Sequence, residues 1–251
     1  MKTYYRRKKS LGQHFLHDKN ILAIEAELAD PEGKTVLEIG PGDGRLTEFL
    51  LKKNPKKLIA VEKDSRFAEL LREKFSGKKN LEIVEADFLG MELPDADVVV
   101  GNIPYYISSD IIFHLKYMKF EKAVLMVQKE FAQKMVAKPG DRNYGRLSVT
   151  SQLHFDIKLE RKVLRHLFRP IPDVDSAIII LKPSGFRTDQ LQDNIIRWLF
   201  QHRNKTVRNA LLDSKMFDQA DLRALGPFLR RRVRSLSKKE CLRIASLLEN
   251  V

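Results

Sequence analysis

The sequence has a single cysteine, Cys241, among 251 residues. That excludes an internal disulfide, and no Cys/His cluster has metal-ligand spacing, so neither redox chemistry nor a structural metal is expected. No apolar run reaches the ~18 residues of a membrane-spanning helix. The basic start MKTYYRRKKSLGQHFL also lacks the apolar stretch of a secretion signal. A soluble protein of the reducing cytoplasm, with no membrane partner, is the expectation. Acidic residues are in short supply too: Asp+Glu 33 against Lys+Arg 46 leaves a net charge of +13. A charge-rich surface explains the total charge better than its sign, whereas a polyanionic partner, nucleic acid first, explains both.

Hydrophobic residues make up 43% of the chain, enough to fill a core. At ~150 residues per domain, the length suits one large domain with a small appendage. Residues 1–17 are basic and irregular. Asp18 can cap a helix carrying Ile21, Leu22, Ile24 and Leu28, stopped by Pro31 and Gly33. The period then changes. Thr35–Ile39, Leu58–Val61, Leu81–Val84, Val98–Val100 and Ala123–Val127 are short apolar runs, many β-branched, separated by helix-length stretches. Strands buried on both faces and alternating with helices predict a doubly wound, mostly parallel α/β sheet. Two further strands, around Leu147–Phe155 and Ser176–Leu181, are expected to extend it. From about Gly185 the strand signal vanishes. Asn194–Phe200, Val207–Leu212 and Cys241–Leu248 have helical spacing, so 186–251 is expected to be a small all-helical domain after a main domain over 1–185.

The loop Glu38-Ile39-Gly40-Pro41-Gly42-Asp43-Gly44 falls where the first of these five strands ends, the ligand edge of such a sheet. Arg45 stands where a dinucleotide fingerprint needs its third glycine, which argues against a pyrophosphate ligand. Glu62 follows the second strand, 22 positions after Gly40, where a carboxylate can accept from vicinal ribose hydroxyls. Asp87, beyond the third, can accept from an adenine amine. A glycine loop, a ribose carboxylate and an adenine acceptor without a phosphate cradle describe S-adenosyl-L-methionine, with S-adenosyl-L-homocysteine as product.

Gly101-Asn102-Ile103-Pro104-Tyr105 follows the fourth strand at the same edge. Asn-x-Pro is ordinary turn chemistry. It is also suited to an exocyclic adenine amine, whose lone pair is delocalised into the ring: the Asn102 oxygen and a main-chain carbonyl can hold its two N–H groups and aim the lone pair, while Tyr105 stacks on the base.

Asn102-Ile103-Pro104-Tyr105, the 38–42 loop, Gly12-Gln13-His14-Phe15-Leu16, Phe168-x-Pro170-x-Pro172-x-Val174-x-Ser176 and the stretch Phe200 to Leu211 together resemble the ribosomal RNA adenine-N6 dimethyltransferase family, in its small-subunit (16S-type), archaeal form. The resemblance runs from about residue 8 to the end. It implies a Rossmann-like class I methyltransferase fold that dimethylates two adjacent adenosines in the loop of the 3′-terminal helix of small-subunit rRNA, on the RNA or a pre-30S particle. It further implies that His14 and Leu16 contact the cofactor and that Gly40 and Gly42 line its methionine end. Glu62 would hold its ribose, Asp87 its adenine, and Asn102 both cofactor and target amine. Tyr105 and Phe168 would sandwich the target base. The family most often has Asn at His14 and Leu at Ile103, which puts the side-chain role of His14 in question.

Such a base must be loop-borne or flipped. Basic runs at Arg6–Lys9, His202–Arg208 and Arg230–Arg234 are the expected phosphate contacts. Tyr144-Gly145-Arg146-Leu147 is left unassigned, and Trp198, His154 and His166 are expected to be core or surface residues. Two rivals are a large-subunit rRNA adenine methyltransferase, which shares the Asn-Ile-Pro-Tyr type of motif, and a non-catalytic RNA-binding assembly factor. Gly12 to Leu16 and the Phe-x-Pro-x-Pro stretch favour the small-subunit branch. Glu38, Glu62, Asp87 and Asn102 together argue against a dead site. No symmetric interface is legible, so a monomer is expected.

Overall fold

The computed structural model describes residues 14–249. The Arg6–Lys9 run and Gly12-Gln13 lie outside the described residues. Strand β1 (Phe15–Leu16) leads into helix α1 (Lys19–Ala29), whose N-cap is Asp18: its carboxylate accepts from Ile21 N at 2.9 Å. Asp30, in the left-handed region at φ 48°, ends the helix before Pro31.

The five apolar runs are strands β2 (Thr35–Ile39), β3 (Lys57–Glu62), β4 (Leu81–Glu85), β5 (Val98–Asn102) and β6 (Lys122–Gln128). They lie parallel in the order β4-β3-β2-β5-β6. Helices α2 (Arg45–Leu51), α3 (Ser65–Lys74) and α4 (Ser108–Leu115) alternate with them. With a helical layer on each face, both sides of the central strands are buried, which is why Val98, Val99 and Val100 show no polar alternation. After α5 (Lys129–Met135) come α6 (Arg146–His154), β7 (Phe155–Val163), β8 (Phe168–Arg169) and β9 (Ser176–Pro183). β9 runs antiparallel to β6 and β7 closes that edge, making seven strands. β8 pairs with β1, placing Phe168 opposite Leu16.

Leu147–Phe155 is not a strand. Residues 146–154 form α6, and the strand begins only at Phe155. α6 is buried nearly all round, including Ser148, Val149, Thr150, Ser151, Leu153 and His154, so it shows no one-sided apolar period. Two of its hydroxyls bond back along the helix, Thr150 to Arg146 O and Ser151 to Leu147 O, while Ser148 donates to Lys134 O at 2.6 Å. Tertiary burial overrides the strand preference of Val149 and Thr150.

The chain divides into two compact units, one running to Ala132 with Lys158–Pro183, the other comprising Gln133–Ile157 and Ser184 onward. The second unit thus takes in α6 as well as α7 (Gln190–Gln201), α8 (Val207–Asp213) and α9 (Lys238–Leu248), so the chain crosses between units three times where the sequence suggests one boundary. Its core gathers Tyr144, Val149, Ile196, Leu199, Leu211 and Ile244. Tyr144 donates to Leu236 O at 2.6 Å, and burial pushes the Cys241 thiol up to about 12. Among the described residues no helix is long and apolar enough to cross a membrane, and no group of His, Cys, Asp and Glu is arranged to hold a metal ion.

Candidate active site

Strand order reverses between β2 and β5, so the loops leaving these neighbours diverge and open a crevice at the carboxyl edge of the sheet. A cavity of about 380 Å³ fills it. All nine site residues expected from the sequence line this cavity: His14, Leu16, Gly40, Gly42, Glu62, Asp87, Asn102, Tyr105 and Phe168.

The glycine loop is tied to β3. Gly40 N donates to Val61 O at 2.9 Å, and Gly42 N to Glu62 Oε2 at 3.0 Å, while Glu62 Oε1 accepts from Asp64 N at 2.9 Å. A carboxylate offers about four lone-pair positions, so each Glu62 oxygen keeps acceptor capacity. Burial raises the Glu62 carboxyl above its ordinary value, and the Asp64 and Gly42 amides oppose the shift. Gly42 sits at φ 56°, and a Cβ there would come within 2.6 Å of the Phe15 ring. Lys74 donates to the carbonyls of Asp43 and Gly44, at 2.9 and 3.1 Å, steadying the far side of the loop.

Asp87 is half-exposed and paired with Lys63 at 2.6 Å, which holds its carboxyl below the usual range. Its Oδ1 also accepts from Leu89 N. Sequence reasoning missed Lys63, which meets any ligand that approaches Asp87.

Gly101 lets β5 run close to β2: a Cβ would lie 2.7 Å from Ile39 O. Asn102 ends β5, and its Oδ1 is buried without a hydrogen-bond partner. Ile103 is buried and its amide donates to Met126 O at 3.0 Å. The Tyr105 hydroxyl meets Ser176 Oγ at 2.7 Å, fixing the ring at the cavity edge. Burial raises the Tyr105 phenol, and the Ser176 bond opposes it. The His14 ring stacks on Tyr105, centroids 6.0 Å apart at 22°. His14 Nδ1 lies 2.8 Å from Pro170 O; a carbonyl only accepts, so Nδ1 carries the proton and Nε2 of the neutral ring is an acceptor. Phe168 and Leu16 are buried in the core cluster that backs the cavity.

Two buried acids stand at the cavity, Glu38 in its lining and Glu25 outside it. Glu38, on β2, and Glu25, on α1, are both raised from 4.5 to about 8, chiefly by burial. Asn102 opposes the shift of Glu25 and the Glu38 charge adds to it, while Thr47 opposes that of Glu38. Glu25 was not found from the sequence, although a carboxylate inside the apolar stripe of α1 is the signal that marks it.

The cavity fits an adenosine with a sulfonium side chain better than a dinucleotide: the loop clears space by glycine, Glu62 and Asp87 are acceptors, and Arg45 stands where the third glycine would follow Gly40 and Gly42. Comparison with known proteins places the chain in a family. The family model described as "Ribosomal RNA adenine dimethylase" matches residues 5–250. The "Probable ribosomal RNA small subunit methyltransferase A" of Methanopyrus kandleri is 47% identical over 214 residues, 82% of this chain and 77% of that protein. Among solved structures, a dimethyladenosine transferase from Plasmodium falciparum superposes with a TM-score of 0.80 at 32% identity, covering 92% of this chain and 95% of that one. The 23S rRNA methyltransferase ErmE gives 0.70 at 32% identity, covering 94% and 99%. The chain therefore belongs to the ribosomal RNA adenine dimethylase family.

Proposed function

We propose that the protein transfers methyl groups from S-adenosyl-L-methionine to the N6 amines of two adjacent adenosines in the 3′-terminal loop of small-subunit rRNA, presented in a pre-30S particle to a monomeric enzyme. The observation that carries this reading is the meeting, at one sheet edge, of the Glu62-tied glycine loop with Asn102, whose buried Oδ1 lacks a partner. The 47% identity to a small-subunit enzyme favours that substrate, while the ErmE likeness keeps large-subunit rRNA as the comparison to exclude.

In this reading His14 and Leu16 close over the cofactor, Gly40 and Gly42 line its methionine end, Glu62 accepts from its ribose, and Asp87 turns from Lys63 to its adenine amine. The cofactor supplies a methyl on a sulfonium, a leaving group good enough that alignment matters more than a strong base. Asn102 Oδ1 accepts one N–H of the target amine and a main-chain carbonyl of the Asn102-Ile103-Pro104 turn accepts the other, which aims the nitrogen lone pair. The bound cofactor would supply the methyl group to the nitrogen so aimed, and the proton that the amine gives up would pass to solvent. Tyr105, held by Ser176, and Phe168 flank the base, which enters against the Tyr105 face that His14 leaves open.

The second unit supplies the RNA grip. Arg208, Arg230 and Arg234 are exposed. Arg203 instead donates to Tyr144 O at 2.8 Å, Arg232 to Asn204 O, Arg231 pairs with Glu240, and Lys205 pairs with Asp213 at 2.6 Å. The phosphate-facing set is therefore the first three. Incubating the protein and cofactor with unmodified small and large ribosomal subunits tests the reading: N6,N6-dimethyladenosine in small-subunit rRNA supports it, and the same nucleoside in large-subunit rRNA alone replaces it with the ErmE-like alternative.

A further inference from the structure

Glu25 breaks the burial pattern of α1. The helix buries Ile21, Leu22, Glu25, Ala26 and Ala29, and Glu25 is fully buried in the middle of that stripe. The surface beneath can be read from strand register. Glu38 on β2 pairs with Val100 on β5, and Asn102 lies two residues further on, so Glu38 and Asn102 project from the same face of the sheet. That face also carries Val36, Val98, Val100, Val124 and Met126, which share one core cluster with Ile21, Leu22, Ala26 and Ala29 of α1. α1 thus lids the sheet face on which Asn102 and Glu38 stand.

Four side-chain oxygens in this layer are buried without a hydrogen-bond partner of ordinary geometry: both of Glu25, Oε2 of Glu38 and Oδ1 of Asn102. Ionised carboxylates only accept, so two charged acids here would repel each other, with Thr47 the donor beside Glu38 and the Asn102 amide the donor beside Glu25. Burial first, and the Glu38 charge after it, raise Glu25 to about 8, while the Asn102 side chain, the polar group that donates to the Glu25 carboxyl, opposes that shift without cancelling it. A neutral carboxyl keeps a carbonyl oxygen for the Asn102 Nδ2–H and brings one O–H to the oxygen-rich layer.

We propose that Glu25 is a positioning residue for Asn102: from α1 it engages the Nδ2 end of the amide, so that Oδ1 and not Nδ2 is presented to the reacting amine. An Asn side chain is nearly symmetric in shape and opposite in hydrogen-bonding sense at its two ends. Turned over, it would offer donors to an amine that needs an acceptor. The inference rests on the reading that Asn102 orients the target amine, and Glu25 itself touches neither substrate nor cofactor.

Glu25→Gln and Glu25→Met test it, because both side chains have the length of Glu and only Gln retains an acceptor oxygen. With small ribosomal subunits as substrate, Glu25→Met is expected to lower kcat at least ~10-fold with KM for the subunit and the Kd of S-adenosyl-L-homocysteine within ~3-fold of the parent, whereas Glu25→Gln keeps kcat within ~3-fold. Parental kcat in a folded Glu25→Met overturns the proposal. So does an equal loss in both variants, or failure of both to fold, since either outcome assigns Glu25 a purely structural part. Asn102→Ala, run beside them, separates the two levels: if it retains methyl transfer, the reading of Asn102 fails and the role of Glu25 falls with it. If it is inactive and Glu25→Met is not, only the Glu25 proposal fails.

Discussion

Glu62 Oε2 accepts the Gly42 amide at 3.0 Å, so the carboxylate that ends β3 also sets the path of the loop that ends β2. In the proposed function the same group has two tasks, shaping the loop and meeting the ribose. Glu62→Ala is expected to weaken S-adenosyl-L-homocysteine binding at least ~10-fold, with Glu62→Gln intermediate because its amide keeps one acceptor oxygen. Titration calorimetry reads this directly; parental affinity in Glu62→Ala would remove Glu62 from the cofactor site.

Gly101→Ala probes the closeness of β5 to β2. The added Cβ would meet the Ile39 carbonyl oxygen at 2.7 Å, and backbone cannot swing away as a side chain can. A loss of ~1–3 kcal/mol, the usual cost of overpacking, is expected in denaturant unfolding. Unchanged stability would mean that the strands part freely at this point.

Stability should depend on pH through the buried acids. Glu25 and Glu38 are raised from 4.5 to about 8, so between those values the folded protein holds protons that the unfolded chain has released. Stability contributed by these groups is therefore intact below about 4.5 and is lost as pH rises to about 8. Around each acid the charges that matter are Glu38 for Glu25, and Glu62 and Lys74 for Glu38. Glu25→Gln should leave stability little changed near pH 5 and raise the unfolding free energy progressively towards pH 8, by ~2–4 kcal/mol, with Tm rising in step. A Tm difference independent of pH would contradict a neutral buried Glu25.

The basic residues divide by what they hold. Arg208, Arg230 and Arg234 replaced together by Gln should weaken RNA binding and lower the salt slope by about 2, at ~0.7–0.9 per phosphate contact, without moving Tm. Arg231→Gln should lower Tm instead, because Arg231 pairs with Glu240 and donates to Ser235 O at 2.9 Å. An unchanged salt slope in the triple variant would place the RNA elsewhere.

The parallel sheet was legible because buried strands need apolar residues on both faces, and Val98–Val100 and Ala123–Val127 announce this without any period. Asp18 and the glycine loop were legible for local reasons, a cap and a sharp turn. The α6 helix was not, since burial on nearly every side erases the periodicity that separates helix from strand. The second unit's claim on 133–157 was hidden too, because no glycine or proline cluster marks where the chain crosses. Within the site, the lining residues could be chosen from motifs, but their partners could not. Ser176 beneath Tyr105 lies 71 positions away in sequence, and Lys63 beside Asp87 lies 24 away. Glu25 needed the fold, because its meaning depends on which sheet face α1 covers.

The most direct measurement is transfer of labelled methyl from S-adenosyl-L-methionine to purified small ribosomal subunits lacking the modification, by the parent protein and by Asn102→Ala, with the rRNA digested to nucleosides. The account predicts N6,N6-dimethyladenosine from the parent and its loss in the folded variant. Equal product from both would contradict the placing of Asn102 at the reacting amine, and no product from either, despite tight RNA binding, would make the protein a binder that has kept the shape of an enzyme.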